Sequence, residues 1–430
     1  MSVRDLTKDE ILEHLKKNTV LRNKQLSVLV KLLNSIETGS TLAIDGAWGS
    51  GKTVFVKQLQ MLADEAVEDY GHNTFDDTEI SKLREHQEVV YFNAWENDYI
   101  GDALGAILLK LIADSGEGLN EVAIKRALSI LNPSAAIKKI TYGFVDLNGK
   151  PQQEKLLEHI KLLTDRHEAV NEFLDAITTR KDKKRLIFVI DELDRCKPSF
   201  AIDLLEVIKH YFVRDDVTFI VATNITQLSY TVEKYYGNNF DGYGYLNKFI
   251  DYTITLSKVD TTIYAREMLN WSLDHGSNEA AQAVISHYNF SMREINALHS
   301  SLRLIINFLN RNSNWDRSQY PVQLIYVPLA LGLKIRNGSD YMKFVGGSGG
   351  DILRDFLDNT KCRLDLADIS ALTSEATPEQ RDEAAIDSLI SQYESLMIQS
   401  DARYGRENFR DFHDAISLIG SYTTIKGTSE

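Results

Sequence analysis

The sequence predicts an α/β fold: a mostly parallel sheet sandwiched by helices, with a helical insertion and a C-terminal helical region. Three observations carry this expectation. Short apolar runs recur at Leu42–Ile44, Val89–Phe92, Leu186–Ile190 and Phe219–Ala222, each followed by a polar or glycine-rich turn and a helical pattern. The segment Gly46-Ala47-Trp48-Gly49-Ser50-Gly51-Lys52-Thr53 follows the first run and opens a helix. Asp191, Glu192 and Asp194 stand at the C-terminal end of the third run, the edge at which open α/β sheets bind ligands.

From the N-terminus, apolar residues at Leu15, Val20, Leu26, Leu29, Leu32 and Leu33 have helical spacing and end at Thr38-Gly39-Ser40, which predicts a helical lead-in over residues 1–39. A domain over residues 40–258 contains the four apolar runs and a fifth strand, in which Tyr252, Ile254 and Leu256 alternate with threonines. Between the second and third strands, residues 98–182 read as a helical insertion with loops near Pro133 and Asn148–Pro151. Within it, Ala103–Ala113 is apolar but interrupted by Lys110. It falls short of the ~20 residues that span a bilayer and predicts a buried amphipathic helix. Residues 259–430 show helical spacing, broken at Gly346–Gly350, where a linker is expected. No repeat of solenoid period is visible.

Composition narrows the chemistry. A net charge of -14 over 430 residues argues against a protein that coats nucleic acid electrostatically. The two cysteines, Cys196 and Cys362, lie far apart without metal-ligand spacing, so neither a disulfide framework nor structural zinc is indicated. The first seventeen residues are charged throughout and lack the apolar core of a secretory signal. A cytoplasmic protein without membrane attachment is the expectation.

Gly46–Thr53 fits G-x-x-x-x-G-K-[ST] between a predicted strand and a helix with Phe55, Leu59 and Leu62 on one face. Gly46, Gly49 and Gly51, with Ser50, let the backbone turn its N–H groups around phosphates, and the helix N-terminus adds positive potential. Lys52 is expected on the β/γ-phosphates, and the Thr53 hydroxyl on Mg²⁺. Trp48 reads as a packing residue, with contact to the nucleotide the alternative. At the acidic strand end, Asp191 suits Mg²⁺ and Glu192 the attacking water. Arg195 reads as a salt-bridge partner of these carboxylates, or as a finger reaching a neighbouring subunit's γ-phosphate. Asn224, closing the fourth strand, reads as a nucleotide sensor or as a simple cap.

These residues resemble the KAP family of P-loop NTPases, within the additional-strand P-loop class. The Trp-Gly pair of the loop, Phe92-Asn93-Ala94-Trp95-Glu96, and Ile190–Pro198 running into Leu204–Lys209 carry the likeness. Weaker matches follow at Tyr236-Gly237, Tyr245–Ile250 and Met292–Asn296. The resemblance implies ATP and Mg²⁺ as ligands, the Asn224 strand beside the loop strand, and nucleotide contact by Arg293 from a helical domain. The chain departs from the family in having Glu192 where a second Asp is frequent, and Asn224 where Asp is frequent. Bacterial members are implicated in defence against phage, and a polar 98–182 insertion implies a form without membrane spans.

No second catalytic constellation is visible in the sequence. Three function classes follow: an ATPase coupling turnover to assembly or conformational change, with residues 259–430 facing a protein partner or a further copy; an ATP-holding switch with negligible hydrolysis; and a nucleic-acid-stimulated motor. The last rests only on Arg180–Arg185 and Lys138-Lys139, which lack interleaved aromatics and read as solvated faces.

Overall fold

The structure, a computed structural model, describes residues 7–71, 74–115, 166–178, 185–269, 275–312, 320–360 and 378–398 except residue 20, together with residues 122, 124, 125 and 127. Most of the expected insertion, Lys138-Lys139, the basic residues 180–184 and Cys362 lie outside these. The chain divides into two compact units, one over Thr7–Ser257 and one holding the described residues from Lys258 on.

In the first unit, α1 (Lys8–Lys17) starts at a capping box in which the Thr7 hydroxyl accepts from Glu10 N and the Glu10 carboxylate accepts from Thr7 N. α2 (Asn23–Ser35) leads to β1 (Thr41–Asp45), α3 (Lys52–Ala63) and α4 (Asp77–His86). Then come β2 (Gln87–Asn93), the single turn α5 (Ala94–Asn97), α6 (Ala103–Ser115) and α7 (residues 166–178). β3 (Arg185–Asp191), α8 (Pro198–Tyr211), β4 (Val217–Thr223), α9 (Ile225–Tyr236), α10 (Gly242–Leu246) and β5 (Tyr252–Thr255) complete it.

The strands form one sheet in the order β2-β3-β4-β1-β5, every pair parallel. β4 lies between the loop strand and the acidic strand. Because side chains alternate along a strand, Leu42, Ile44, Ile187, Val189 and Ile220 face one helix layer, while Ala43, Phe188, Ile190, Phe219 and Val221 face the other. The first layer includes Leu15, Leu26, Leu29 and Leu33 of α1 and α2 beside Phe55, Leu59 and Leu62 of α3. The segment expected as a lead-in is therefore part of this unit's core. On the other face, Leu104, Ile107, Phe173, Leu204 and Leu228 cover the sheet. Each such side chain, fully buried, contributes about 1.5–3 kcal/mol.

In the second unit the described elements are helical: α11 (Thr261–Leu269), α12 (His275–Tyr288), α13 (Met292–Asn312), a π-helical turn (Val322–Tyr326) running into α14 (Val327–Arg336), α15 (Gly338–Val345), α16 (Gly350–Thr360) and α17 (Pro378–Ile398). The expected linker at Gly346–Gly350 is instead a tight turn between two packed helices. Gly346 N, Gly347 N and Ser348 N donate to carbonyls of Met342, Phe344 and Lys343, and the Tyr393 hydroxyl bridges Phe344 O and Gly349 N. A hydrogen-bonded turn closed by a buried tyrosine does not behave as a tether.

Candidate nucleotide site

The loop between β1 and α3 has the shape its glycines permit. Gly49 and Gly51 lie at φ +76° and +86°, the left-handed region that costs a side chain energy. A Cβ on Gly46 would come within 2.6 Å of Ser50 Oγ. The loop is tied to the sheet by Gly46 N donating to Thr223 O at 3.3 Å. Lys52 is buried at the start of α3, its Nζ donating to Gly46 O at 2.6 Å and Ala47 O at 3.2 Å. Burial pushes its ammonium pKa down, opposed by Asp194, Asp191 and Asp45.

Parallel register brings the C-terminal ends of the strands together: Asn93 pairs with Asp191, Asp191 with Ala222, and Asp45 with Thr223. Asp191 is 1% exposed. Its Oδ2 accepts from the Tyr91 hydroxyl at 2.9 Å, its Oδ1 from Glu192 N at 2.9 Å, and Thr53 supplies a further side-chain hydrogen bond. Burial nevertheless raises the pKa of its carboxyl, with those bonds and Lys52 acting the other way. Burial and then Asp191 push the Tyr91 phenol upward, so it is a fixed donor.

Glu192 sits at φ 60°, ψ 29°, a left-handed conformation costing about 1–2 kcal/mol for a residue with a side chain. Its Oε1 pairs with Arg195 at 2.5 Å, and its Oε2 accepts from Asn93 Nδ2 at 3.3 Å. Arg195 also lies over the exposed Trp95 ring, 5.9 Å from its centroid. The internal salt bridge of Arg195 is therefore formed. Trp48 corrects the expectation of packing: it is 54% exposed, and its indole N–H donates to Asp194 Oδ2 at 2.5 Å, tying the loop to the acidic turn. Asn224 caps α9, its side-chain oxygen accepting from Gln227 N at 3.2 Å. Arg293 lies exposed in the first turn of α13, in the second unit. Cys196 is buried, which pushes its thiol up to about 12, so it stays protonated near neutrality.

Three participants carried no role in the sequence reading: Tyr91 and Asn93, two apart on β2 and holding one carboxylate each, and Arg22. Their i, i+2 spacing puts both on one side of the strand, but nothing local says that the neighbouring strand is the acidic one. Arg22 is 2% exposed and donates to Ser50 O in the loop and to Ser257 O. Burial brings its guanidinium pKa down to about 10, still charged at neutral pH.

The residues present fit a nucleotide and Mg²⁺. Buried Ser50 Oγ and Thr223 Oγ1 have no hydrogen-bond partner, a state that buried polar atoms rarely keep. Thr53 and Asp191, joined by a hydrogen bond, offer the sparse oxygen set that Mg²⁺ accepts when phosphates supply the rest. Among the described residues, no group of three or more His, Cys, Asp or Glu side chains forms a self-sufficient metal site. None of the described helices is long and apolar enough to cross a membrane.

No curated protein matches the chain. Two solved structures, of Drosophila ORC bound to GC-rich DNA and Cdc6 and of Drosophila ORC bound to poly(dA/dT) DNA and Cdc6, match 97% and 96% of this chain at 11% and 12% identity, each with a TM-score of 0.37. This chain spans 64% and 63% of theirs, and likeness at that level is too slight to carry structure or function across. The KAP family P-loop domain matches residues 22–318, well over half of the chain. With the phosphate loop, the parallel sheet and the acidic strand end assembled at one edge, the chain belongs to the KAP family of P-loop NTPases.

Proposed function

We propose that this protein binds ATP with Mg²⁺ and hydrolyses it, using turnover to drive a conformational change or an assembly step with a protein partner. The observation that carries this reading is the pair of strand-end carboxylates held by separate donors, Asp191 by Tyr91 and Thr53, and Glu192 by Asn93 and Arg195. A second carboxylate beside the one suited to Mg²⁺ favours hydrolysis over holding alone. The Lys52 ammonium, drawn out of its contacts with Gly46 O and Ala47 O, neutralises the β/γ-phosphates. Thr53 and Asp191 would hold Mg²⁺, which would supply positive charge to offset that developing on the phosphates. Glu192 orients a water molecule and takes its proton. Steady-state phosphate release with Mg-ATP, beside Glu192→Gln, tests the reading: turnover in the parent that is lost in the variant supports it, and equal rates in both refute the role of Glu192.

A second reading, a switch that holds ATP and hydrolyses it slowly, is favoured by the same Arg195–Glu192 pair. A carboxylate engaged by a guanidinium and an amide is less free to orient a water molecule. Tight ATP binding with negligible release in both proteins selects it. The motor reading gains nothing from Arg185, whose guanidinium donates to Ile36 O and Asp215 O rather than forming a solvated basic face. The family resemblance supports a bacterial setting in which such a switch or ATPase acts in the cytoplasm in defence against phage, through a separate effector protein facing residues 259–430. In an oligomer, Arg293 of a neighbouring copy would reach the nucleotide, and mixing Arg293→Ala with wild-type chains tests that by the rate against mixing ratio.

A further inference from the structure

Arg22 stands where a helix least favours it. It is the N-cap of α2 yet makes no side-chain cap bond, whereas Ser, Thr, Asp or Asn there would satisfy a free N–H. It also brings a cation to the positive end of the helix dipole. Its guanidinium is buried, no carboxylate pairs with it among the described residues, and Nε has no partner. Local helix preference and desolvation both oppose the residue, so its value lies in what it joins.

It joins two segments far apart in sequence. One guanidinium nitrogen donates to Ser50 O, at the tip of the phosphate loop, and another to Ser257 O, just past β5. Ser257 is the last residue of the first unit. One turn along α2, Gln25 grips the same exit: its Nε2 donates to Thr255 O at 2.8 Å, and its Oε1 accepts from Ser257 N and Ser257 Oγ at 3.2 Å each. Leu256 N in turn donates to Asp45 O, the residue immediately before the loop.

We propose that Arg22 is a positioning residue for the phosphate loop, fixing the loop backbone at Ser50 to the exit of the fifth strand, with Gln25 as the second half of the clamp. A planar guanidinium can direct donors to two carbonyls at once, whereas an ammonium is a point donor on a flexible stem. The loop is thereby braced from β5 in addition to its tie to β4 at Thr223. The consequence for catalysis rests on the ATPase reading above; the brace itself does not.

Hydrogen exchange on the full-length, nucleotide-free protein tests the brace. Arg22→Met, which keeps the apolar stem, is expected to raise amide exchange at least tenfold both in residues 46–51 and in residues 255–257, with strand amides 187–190 and 219–222 unchanged. Arg22→Lys keeps the charge and is expected to leave at least one of the two segments as open as in Arg22→Met. Gln25→Ala is expected to open residues 255–257 alone. An unchanged loop in Arg22→Met, wild-type exchange in Arg22→Lys, or a uniform rise that includes the strands overturns the proposal. Failure to bind ATP would refute the proposed function while leaving this comparison decisive, since no nucleotide is used.

Discussion

Replacing Tyr91 by Phe removes one oxygen and probes the carboxylate proposed to face Mg²⁺ without opening the core. The Tyr91 hydroxyl donates to Asp191 Oδ2 at 2.9 Å, while Thr53 and Glu192 N remain as donors to the same carboxylate. A hydrogen bond to a charged acceptor contributes about 1.5–3 kcal/mol. At about 1.4 kcal/mol per factor of ten, its loss corresponds to roughly tenfold to hundredfold, the range in which removing a group behind a metal ligand weakens metal affinity. The expected result is a rise of that size in the Mg²⁺ concentration giving half-maximal phosphate release at saturating ATP. Affinity for ATP without Mg²⁺, read by calorimetry, stays as in the parent because the loop is untouched. The ring also keeps its place beneath Lys57, whose Nζ lies 5.1 Å from its centroid. An unchanged Mg²⁺ requirement, or equal losses with and without Mg²⁺, would refute the assignment of Asp191 and Tyr91.

Three further outcomes follow from the geometry. Arg195→Ala frees Glu192 from a partly exposed ion pair of about 1 kcal/mol, so phosphate release is expected to rise about fivefold; a fall of three orders of magnitude would instead identify Arg195 as a group acting on phosphate. Asp216 is held below the usual carboxylate range by the Arg214 fork, whose Nε and Nη2 both donate at 2.9 Å. A depressed folded value stabilises above the unfolded one and is lost as pH falls through the folded one. Asp216→Asn should therefore lower the thermal midpoint at pH 7, with the gap closing below the ordinary value of about 3.9; a gap independent of pH would count against the ion pair. Leu59→Ala, fully buried between α3 and the sheet, is expected to cost about 2–5 kcal/mol in denaturant unfolding, and a cost under half of that would mean the layer closes around the gap.

The strands were legible because parallel strands buried on both faces write themselves as unbroken apolar runs, as Leu186–Ile190 does. The loop was legible because its chemistry is consecutive in the chain. What escaped was contact at distance. Tyr91 and Asp191, or Arg22 and Ser257, are joined by the fold and by nothing local. Trp48 misled for a related reason: a large apolar ring predicts burial, but the loop lies at the sheet's edge, where its N–H found Asp194 instead. The periodicity of α1 and α2 was clear, yet the apolar stripe does not say which surface it covers, so helices that close the sheet read as a lead-in. Glycine content suggested a tether at Gly346–Gly350, whereas the same residues are what a sharp reversal between helices needs.

The pairing of β2 with β3 places Asn93 opposite Asp191, and the pleat then delivers Tyr91 and Asn93 to one side and Phe92 to the other. Slippage of that pairing by a single residue would leave a sheet in which Phe92 faces the carboxylates and the Tyr91 and Asn93 donors are lost. Such molecules would pass as folded by spectroscopy while holding both carboxylates less firmly. On the proposed function, counting competent nucleotide sites per chain becomes a measure of how faithfully an edge strand finds its place.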